Sequence, residues 1–203
     1  MQIIAHRRNT VEELKATPIE YGIEMDIRSY GDKLIVHHDP FVDAVDFEEW
    51  IKHFHHKTLI LNIKEEGIEY RVKDIVEKHG IQDYFFLDLS FPYLIKMVNK
   101  GEKRVAVRFS EYESLETALS LAGMAEWVWI DYFTKMPLTK KAYNALSRHF
   151  KICIVSPELQ GRDAKEISRY KQLLKPYKID AVCTKKADLW NGRGSYDKTI
   201  RRR

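Results

Sequence analysis

The sequence predicts an α/β fold, a (β/α)8 TIM barrel that forms one compact domain. Apolar, β-branched runs alternate with amphipathic helical segments, which is typical of parallel strands joined by crossover helices. Counting GIEMDI and KLIVHH as one position gives about eight strand positions, the number that closes a TIM barrel. A chain of 203 residues is short for that fold, so a doubly wound open sheet is the structural alternative.

The elements follow one another without a linker rich in Gly, Pro or Ser. We therefore predict one domain over residues 1–192, followed by a basic, flexible tail over 193–203. The predicted strands are QIIAH, GIEMDI with KLIVHH, TLILNIK, YFFLDLS, RVAVRFS, WVWIDYF, KICIVSPE and DAVCTK. The predicted helices are IEYRVKDIVEKHG, FPYLIKMVNKG, ESLETALSLAG, LTKKAYNALSRHF and AKEISRYKQLLKPYK.

Composition and charge exclude several classes of function. The net charge of +4 is small and comes partly from the tail, and basic and aromatic residues do not interleave, so we expect no nucleic-acid partner. No apolar run approaches the roughly 18 residues of a membrane span, and no signal-peptide pattern opens the chain. We expect a cytoplasmic protein without stable membrane insertion. Cys153 and Cys183 lie in apolar runs, which favours buried core thiols over a disulfide or a metal site.

Nearly every predicted strand ends in polar or charged residues. A polar strand end facing water is the simpler explanation for any one of them. The carboxyl ends of all strands in a parallel barrel meet at one face, however, so a series of such ends indicates a shared pocket. The residues are His6, Arg7, Glu24, Asp26, His38, Asp39, Asn62, Lys64, Asp88, Arg108, Asp131 and Glu158.

Glu24 and Asp26 are two positions apart on one predicted strand, so their side chains point to the same side. Two carboxylates on one face repel each other unless a cation lies between them. Oxygen ligands without cysteine favour Mg²⁺ or Ca²⁺. A solvated strand edge with two exposed acids is the alternative, and the sequence leaves both open.

His6 and His38 each follow a short apolar run. Two histidines across a pocket could act as general acid and general base at neutral pH. Asp39 could orient the His38 imidazole, although neighbours in sequence usually point apart.

Three cationic strand-end residues, Arg7, Lys64 and Arg108, suit a phosphate group. Acids for a metal, histidines for proton transfer and a cationic clamp together indicate phosphodiester cleavage, because a metal and Arg or Lys stabilise the charge that grows on the non-bridging oxygens.

The segments IAHRRNT, IEMDIRSYGDKLIVHHDP and LILNIK together resemble the glycerophosphodiester phosphodiesterases and, more distantly, the phosphatidylinositol phospholipase C superfamily. The family pattern is HRG near the N-terminus, ExD on the second strand, HD after a short hairpin, and ExK on the third strand. The match covers the first 64 residues. The runs WIDYF and ICIVSPELQGRD resemble a bacterial branch found with surface-polysaccharide genes.

The resemblance implies a (β/α)8 barrel, a divalent metal and a small phosphodiester substrate, with a role in lipid metabolism. In the family a substrate hydroxyl is thought to attack the adjacent phosphate, giving a cyclic phosphate that water opens while two histidines exchange protons. The residues matched to the catalytic histidines, the phosphate-binding arginine, the metal ligands and the lysine near the phosphate are His6, His38, Arg7, Glu24, Asp26 and Lys64.

The sequence also departs from the family pattern. Arg8 stands where the family has glycine, and the stretch that normally carries a further metal-binding glutamate is shortened to Asn9-Thr10. Asn62 replaces the acid on the third strand; its amide oxygen can still bind a hard cation but carries no charge. Asp88 or Asp131 could compensate from a neighbouring strand end. The alternative function is a degenerate barrel that binds a phosphorylated sugar or lipid headgroup without cleaving it.

The substrate cannot be named from the sequence. Trp127, Trp129, Tyr132 and Phe133 cluster near one strand end and could stack on a sugar. Packing of the tryptophans between barrel and helices is an equally good explanation. The sequence carries no signal for the oligomeric state.

Overall fold

The computed structural model describes residues 1–191, which form a nearly closed parallel barrel surrounded by helices. The strands are β1 (Gln2–Ala5), β2 (Gly22–Tyr30), β3 (Lys33–Val36), β4 (Leu59–Ile63), β5 (Tyr84–Leu87), β6 (Ala106–Phe109), β7 (Trp127–Ile130), β8 (Lys151–Val155) and β9 (Ala181–Thr184). The helices are α1 (Val11–Ala16), α2 (Phe47–Ile51), α3 (Glu69–Lys78), α4 (Phe91–Asn99), α5 (Leu115–Leu119), α6 (Lys140–Leu146), α7 (Glu166–Leu174) and α8 (Ala187–Trp190), with a 3₁₀ helix at Pro157–Gln160.

Eight parallel strands run around the barrel in the order β1, β2, β4, β5, β6, β7, β8, β9. Between β5 and β6 the backbone contact is a single bridge between Phe86 and Val105, and the Phe86 N–H donates to the Arg104 carbonyl at 2.8 Å. β3 pairs antiparallel with β2 and forms a hairpin. The predicted TIM barrel is confirmed, and the open doubly wound sheet is wrong because the sheet returns from β9 to β1.

Several helices begin at side chains that accept from the first free backbone N–H groups. Thr10 and Glu13 form a capping box at α1, in which each side chain accepts from the other residue's backbone N–H. At α4, α5 and α6 the side chains of Ser90, Ser114 and Thr139 each accept from one backbone N–H of the first turn. These short polar residues therefore fix where the chain turns from each barrel strand into the following helix.

Two apolar layers lie on the two sides of the barrel wall. The outer layer packs strands against helices, and the inner layer fills the barrel. Trp127 and Trp129 belong to the inner layer, and the Trp127 ring stacks on Phe85 with centroids 4.6 Å apart. The alternation of side chains along β7 directs both tryptophans into the barrel, so their packing between barrel and helices is wrong, and stacking on a sugar stays a prediction.

The two cysteines are buried and unpaired in the same inner layer, as predicted. Burial raises the pKa of the Cys153 and Cys183 thiols well above the ordinary value, so both are inert apolar groups. No helix within residues 1–191 is long and apolar enough to cross a membrane. The predicted basic tail lies outside the described residues.

Candidate active site

The two acids of β2 lie inside the barrel at the carboxyl ends of the strands. Glu24 and Asp26 are both 0% exposed, and Asp26 pairs in register with Asn62 of β4. Their side chains alternate with the outer-layer residues Ile23 and Met25. The solvated strand edge is therefore wrong, and the acids and Asn62 share one buried site.

Glu24 is held by the chain segment that follows β1. Its Oε2 accepts from the Arg7 N–H at 2.6 Å and lies 3.7 Å from His6 Nε2, while its Oε1 accepts from Asn62 Nδ2 at 2.7 Å. Burial and the charge of Asp26 raise the pKa of Glu24 to about 7 despite these hydrogen bonds. The charge of Lys64 opposes this shift but does not offset the burial and the charge of Asp26.

Asp26 is held by Asn9, whose importance the sequence did not reveal. Asn9 Nδ2 donates to Asp26 Oδ2 at 2.9 Å, and the Asp26 N–H donates to Asn9 Oδ1 at 3.0 Å. Arg7 Nε lies 3.2 Å from Oδ2, and Lys64 Nζ lies 3.4 Å from Oδ1. The shortened stretch after β1 thus supplies an amide that orients the second acid.

The turn after β1 accommodates Arg8 without strain at that residue. Arg7 adopts a left-handed backbone with φ of 53°, while Arg8 is not among the residues with positive φ. The Arg8 N–H donates to the Glu24 carbonyl at 2.9 Å, and its carbonyl accepts from Trp50 Nε1 at 3.1 Å. The large side chain at position 8 therefore leaves the turn intact.

The two predicted catalytic histidines lie in different environments. Burial, followed by the charges of Arg7 and Lys185, lowers the pKa of His6 to about 3, so its imidazole is neutral at neutral pH. His38 is more exposed, and its Nδ1 lies 2.8 Å from Asp39 Oδ1. These neighbours in sequence do meet, and the hydrogen bond from His38 lowers the pKa of Asp39.

Arg28 connects the His38 turn to the end of β4 and was missed at the sequence level. Its Nε donates to the His38 carbonyl at 2.7 Å, and its Nη1 donates to the Lys64 carbonyl at 3.0 Å. Arg28 has the same alternation as Glu24 and Asp26 on β2, which was the available signal. It is a positioning residue for two predicted site residues.

A chain of ion pairs continues from Lys64 across the strand ends. Lys64 Nζ donates to Asp88 Oδ2 at 3.2 Å, and Asp88 Oδ1 accepts from Arg108. Arg108 also donates to Asp131, and its Nε lies 3.2 Å from Glu113 Oε1. The Arg108 charge is thus matched by three carboxylates, and its predicted role at a phosphate stays a prediction.

The remaining predicted pocket acids bind their neighbours in the fold. Gln160 donates to Asp131, and burial raises the pKa of Asp131 to about 6 although Arg108 opposes the shift. Glu158 Oε1 accepts from Thr184 Oγ1 at 2.5 Å and from the Lys185 N–H at 2.9 Å. Roles for Asp131 or Glu158 in a pocket stay predictions.

The oxygen atoms around Glu24 belong to carboxylate and amide groups, which are ligands of the type that bind a hard divalent cation. Asp26 Oδ1 and Asn62 Oδ1 are buried and accept no hydrogen bond from the described residues. No cluster of three or more His, Cys, Asp or Glu within residues 1–191 could hold a metal. Any cation would therefore depend on two carboxylates and the Asn62 amide, with Lys64 supplying a further positive charge nearby.

The fold and this face define a (β/α)8-barrel protein with a buried acid pair, two histidines and the cations Arg7, Lys64 and Arg108 at the strand ends. Neither a protein-family model nor a curated protein sequence matches the chain. The structure is similar to a glycerophosphodiester phosphodiesterase from Agrobacterium tumefaciens str. C58, with a TM-score of 0.70 and 14% identity over 95% of this chain and 99% of that one.

Two structures from Parabacteroides distasonis ATCC 8503 are also similar. One is a glycerophosphodiester phosphodiesterase, with a TM-score of 0.64 and 12% identity over 94% of this chain and 95% of that one. The other is a glycerophosphoryl diester phosphodiesterase, with a TM-score of 0.55 and 12% identity over 95% and 86%. At these identities the likeness establishes the fold.

Proposed function

We propose that this chain is a phosphoric diester hydrolase of the glycerophosphodiester phosphodiesterase family, which cleaves a small glycerol- or polyol-phosphodiester in the cytoplasm. One observation carries the proposal: neutral His6, the buried acids Glu24 and Asp26, and the cations Arg7 and Lys64 share one face of the barrel. The similar structures bear the same name as the family that the motifs resemble.

The proposed reaction has two steps. A substrate hydroxyl beside the phosphate loses its proton to the neutral imidazole of His6 and forms a bond to phosphorus. His38 donates a proton to the oxygen of the departing alcohol as its bond to phosphorus breaks. Water then opens the cyclic phosphate by the reverse transfers: His38 accepts a proton from water and His6 returns one to the ring oxygen.

The two cations bind and stabilise the phosphate in this scheme. Arg7 and Lys64 offset the negative charge that grows on the non-bridging oxygens. The phosphate in turn offsets their positive charge, which makes His6 a better proton acceptor than it is in the free site. Asp39 holds the His38 ring through Nδ1, and Arg28 fixes the turn that carries His38.

We propose that Glu24, Asp26 and Asn62 hold a divalent cation, Mg²⁺ or Ca²⁺. Such an ion supplies positive charge that polarises a phosphoryl oxygen. Support comes from the raised pKa of Glu24 and from Asp26 Oδ1 and Asn62 Oδ1, which accept no hydrogen bond among the described residues.

The second candidate, binding of a phosphorylated sugar or lipid headgroup without cleavage, is favoured by one observation. The third oxygen donor is the neutral amide of Asn62, whose nitrogen already donates to Glu24. A site with weak cation binding could hold a phosphate through Arg7 and Lys64 without stabilising its transition state.

The test is hydrolysis of glycerophosphocholine, glycerophosphoethanolamine, glycerophosphoinositol and bis(p-nitrophenyl) phosphate, with EDTA, Mg²⁺, Ca²⁺ or Mn²⁺. Turnover that needs a metal and is lost in His6→Asn supports the hydrolase and its cation. Turnover that survives EDTA removes the cation from the mechanism. No turnover with any diester, together with calorimetric binding of glycerol 3-phosphate, favours the binding protein.

A further inference from the structure

A cationic cavity lies beside the catalytic face, on the outer side of β1 and β9. It has a volume of about 650 Å³ and is lined by Arg8, Lys185 and Lys186 together with apolar side chains. Asp188 is the one acidic residue among its lining residues. The cavity therefore carries an excess of positive charge in the described part of the chain, which suits an anionic occupant.

Arg8 lines this cavity and carries a donor without a partner among the described residues. Its backbone N–H and carbonyl bind Glu24 and Trp50, which fix the residue. Its Nε is buried and has no hydrogen-bond partner among residues 1–191. A buried guanidinium donor without a partner is costly, and an anion would satisfy it.

The cavity is lined by Ala5, the last residue of β1, and by Lys185, the first residue after β9, so it adjoins the strand ends next to His6. Ala5 pairs with Thr184 in register, and the His6 N–H donates to the Thr184 carbonyl at 3.0 Å. Lys185 follows at once, and its charge is among those that act on His6. Arg8 is two residues beyond His6 in the turn after β1. Both cations thus follow the carboxyl ends of the paired strands β1 and β9, where His6 also lies.

We propose that this cavity binds a second anionic group of the substrate, a phosphate or carboxylate on one of the two alcohols joined by the scissile phosphodiester. The inference rests on the proposed function and narrows its substrate class from small glycerol- or polyol-phosphodiesters in general to those that carry a second anionic group. Arg8 would bind the anion through its planar fork, and Lys185 and Lys186 would add two point charges. Glycine at position 8, as in the family that the sequence resembles, could not supply this group.

A kinetic experiment compares two diesters that differ by one anionic group: glycerophosphoglycerol and the same molecule with a terminal phosphate. We expect the wild type to prefer the second by about tenfold in kcat/KM, and Arg8→Gly and Lys186→Ala each to bring that ratio close to one. Lys165→Ala is the matched control, because Lys165 lies next to the cavity residue Ala164 with a side chain that is 92% exposed. An unchanged ratio in both cavity variants, or an equal loss in Lys165→Ala, overturns the proposal.

A binding experiment separates this inference from the hydrolase proposal. Calorimetry in EDTA compares glycerol 3-phosphate with 2,3-bisphosphoglycerate, which carries three anionic groups. We expect at least tenfold tighter binding of the second by the wild type, lost in Arg8→Gly and kept in Lys165→Ala. If no diester is hydrolysed and this pattern appears, the hydrolase fails while the anion cavity stands. Equal binding of both probes by the wild type overturns the proposal that the cavity binds an anionic group. If Arg8→Gly does not fold, the same comparison is made with Lys186→Ala.

Discussion

The face formed by the carboxyl ends of the strands has two halves, which differ in how their charged residues are paired. In the half formed by β1, β2 and β4, Asn62 Oδ1 is buried without a hydrogen-bond donor among the described residues, Asp26 Oδ1 has an ion pair with Lys64 at 3.4 Å but no hydrogen bond there, and Glu24 has a raised pKa. In the half formed by β5 to β8, Arg108 binds carboxylates on three sides and Gln160 binds Asp131. Buried polar groups without a hydrogen-bond partner indicate a place for a ligand. Charged groups that pair with one another stabilise the barrel instead. We therefore expect mutations in the first half to lower activity more than stability, and mutations in the second half to lower stability more than activity.

The largest expected effect is on activity, in the first half. His6→Asn should lower kcat/KM by about 10³-fold or more, because it removes the proposed proton acceptor, and should leave the unfolding free energy nearly unchanged. Steady-state kinetics and urea unfolding measure the two effects. His149→Asn, at an exposed histidine just before the amino end of β8, is the control. Near-normal turnover in His6→Asn would remove the catalytic role of this half.

In the second half the expected effect is on stability. Arg108→Met should lower the unfolding free energy by about 3 kcal/mol, because Asp131 would stay buried without its cation. We expect kcat/KM to fall less than tenfold. Urea unfolding beside the exposed-site control Lys140→Met checks this. Normal stability with a hundredfold loss of activity would reverse the comparison and give Arg108 the phosphate role suggested by the sequence.

The stability of the protein as a function of pH tests whether the Glu24 carboxylate lacks a compensating charge. Its folded pKa of about 7 lies above the ordinary 4.5, so its contribution to stability is fully present below pH 4.5 and is lost as the pH rises through 7. Relative to Glu24→Gln, the wild type should lose about 1–3 kcal/mol over this range. Thermal unfolding from pH 4 to 8 measures the difference.

Added Mg²⁺ or Ca²⁺ should reduce that loss, because a cation binds the ionised carboxylate. The exposed variant Glu48→Gln controls for removal of one acidic group. If the wild type and Glu24→Gln have the same dependence of stability on pH, the polar groups of the first half are as well paired as those of the second.

The smallest effect concerns cation affinity. Asn62→Asp restores a third charge beside Glu24 and Asp26 and should tighten Mg²⁺ or Ca²⁺ binding about tenfold. Calorimetry measures this, with Asn99→Asp on the exposed side of α4 as the matched control. Equal affinity in both variants would mean that the cation, if it binds, does not use position 62.

The sequence predicted the barrel well. It also predicted which side chains come together in the half formed by β1, β2 and β4. Strand–helix alternation and polar strand ends are local patterns, and β2 carries Glu24 and Asp26 on one face by alternation alone. The pairing of Asp26 with Asn62 then follows from the parallel sheet. These inferences need only the period of a strand and the direction of the chain.

Partnerships across distant strands could not be predicted. Arg108 looked available for a phosphate, but Asp88 and Asp131 lie 20 and 23 residues away and meet it only in the closed barrel. Asn9 likewise acquires its role from Asp26, which lies 17 residues further along the chain. Sequence gives the chemical type of such residues, whereas the fold decides which of them neutralise one another.

The barrel is closed unevenly, since one backbone bridge joins β5 to β6 while the other neighbouring strands share longer ladders. The Asp88–Arg108 pair crosses the same boundary. Local opening of the barrel should therefore start between β5 and β6. The Phe86 amide should exchange its hydrogen earlier than amides in β2 or β8. Since salt weakens partly exposed ion pairs, ionic strength would tune how often the ring opens. Electrostatics at one boundary would thus govern the dynamics of the whole cylinder.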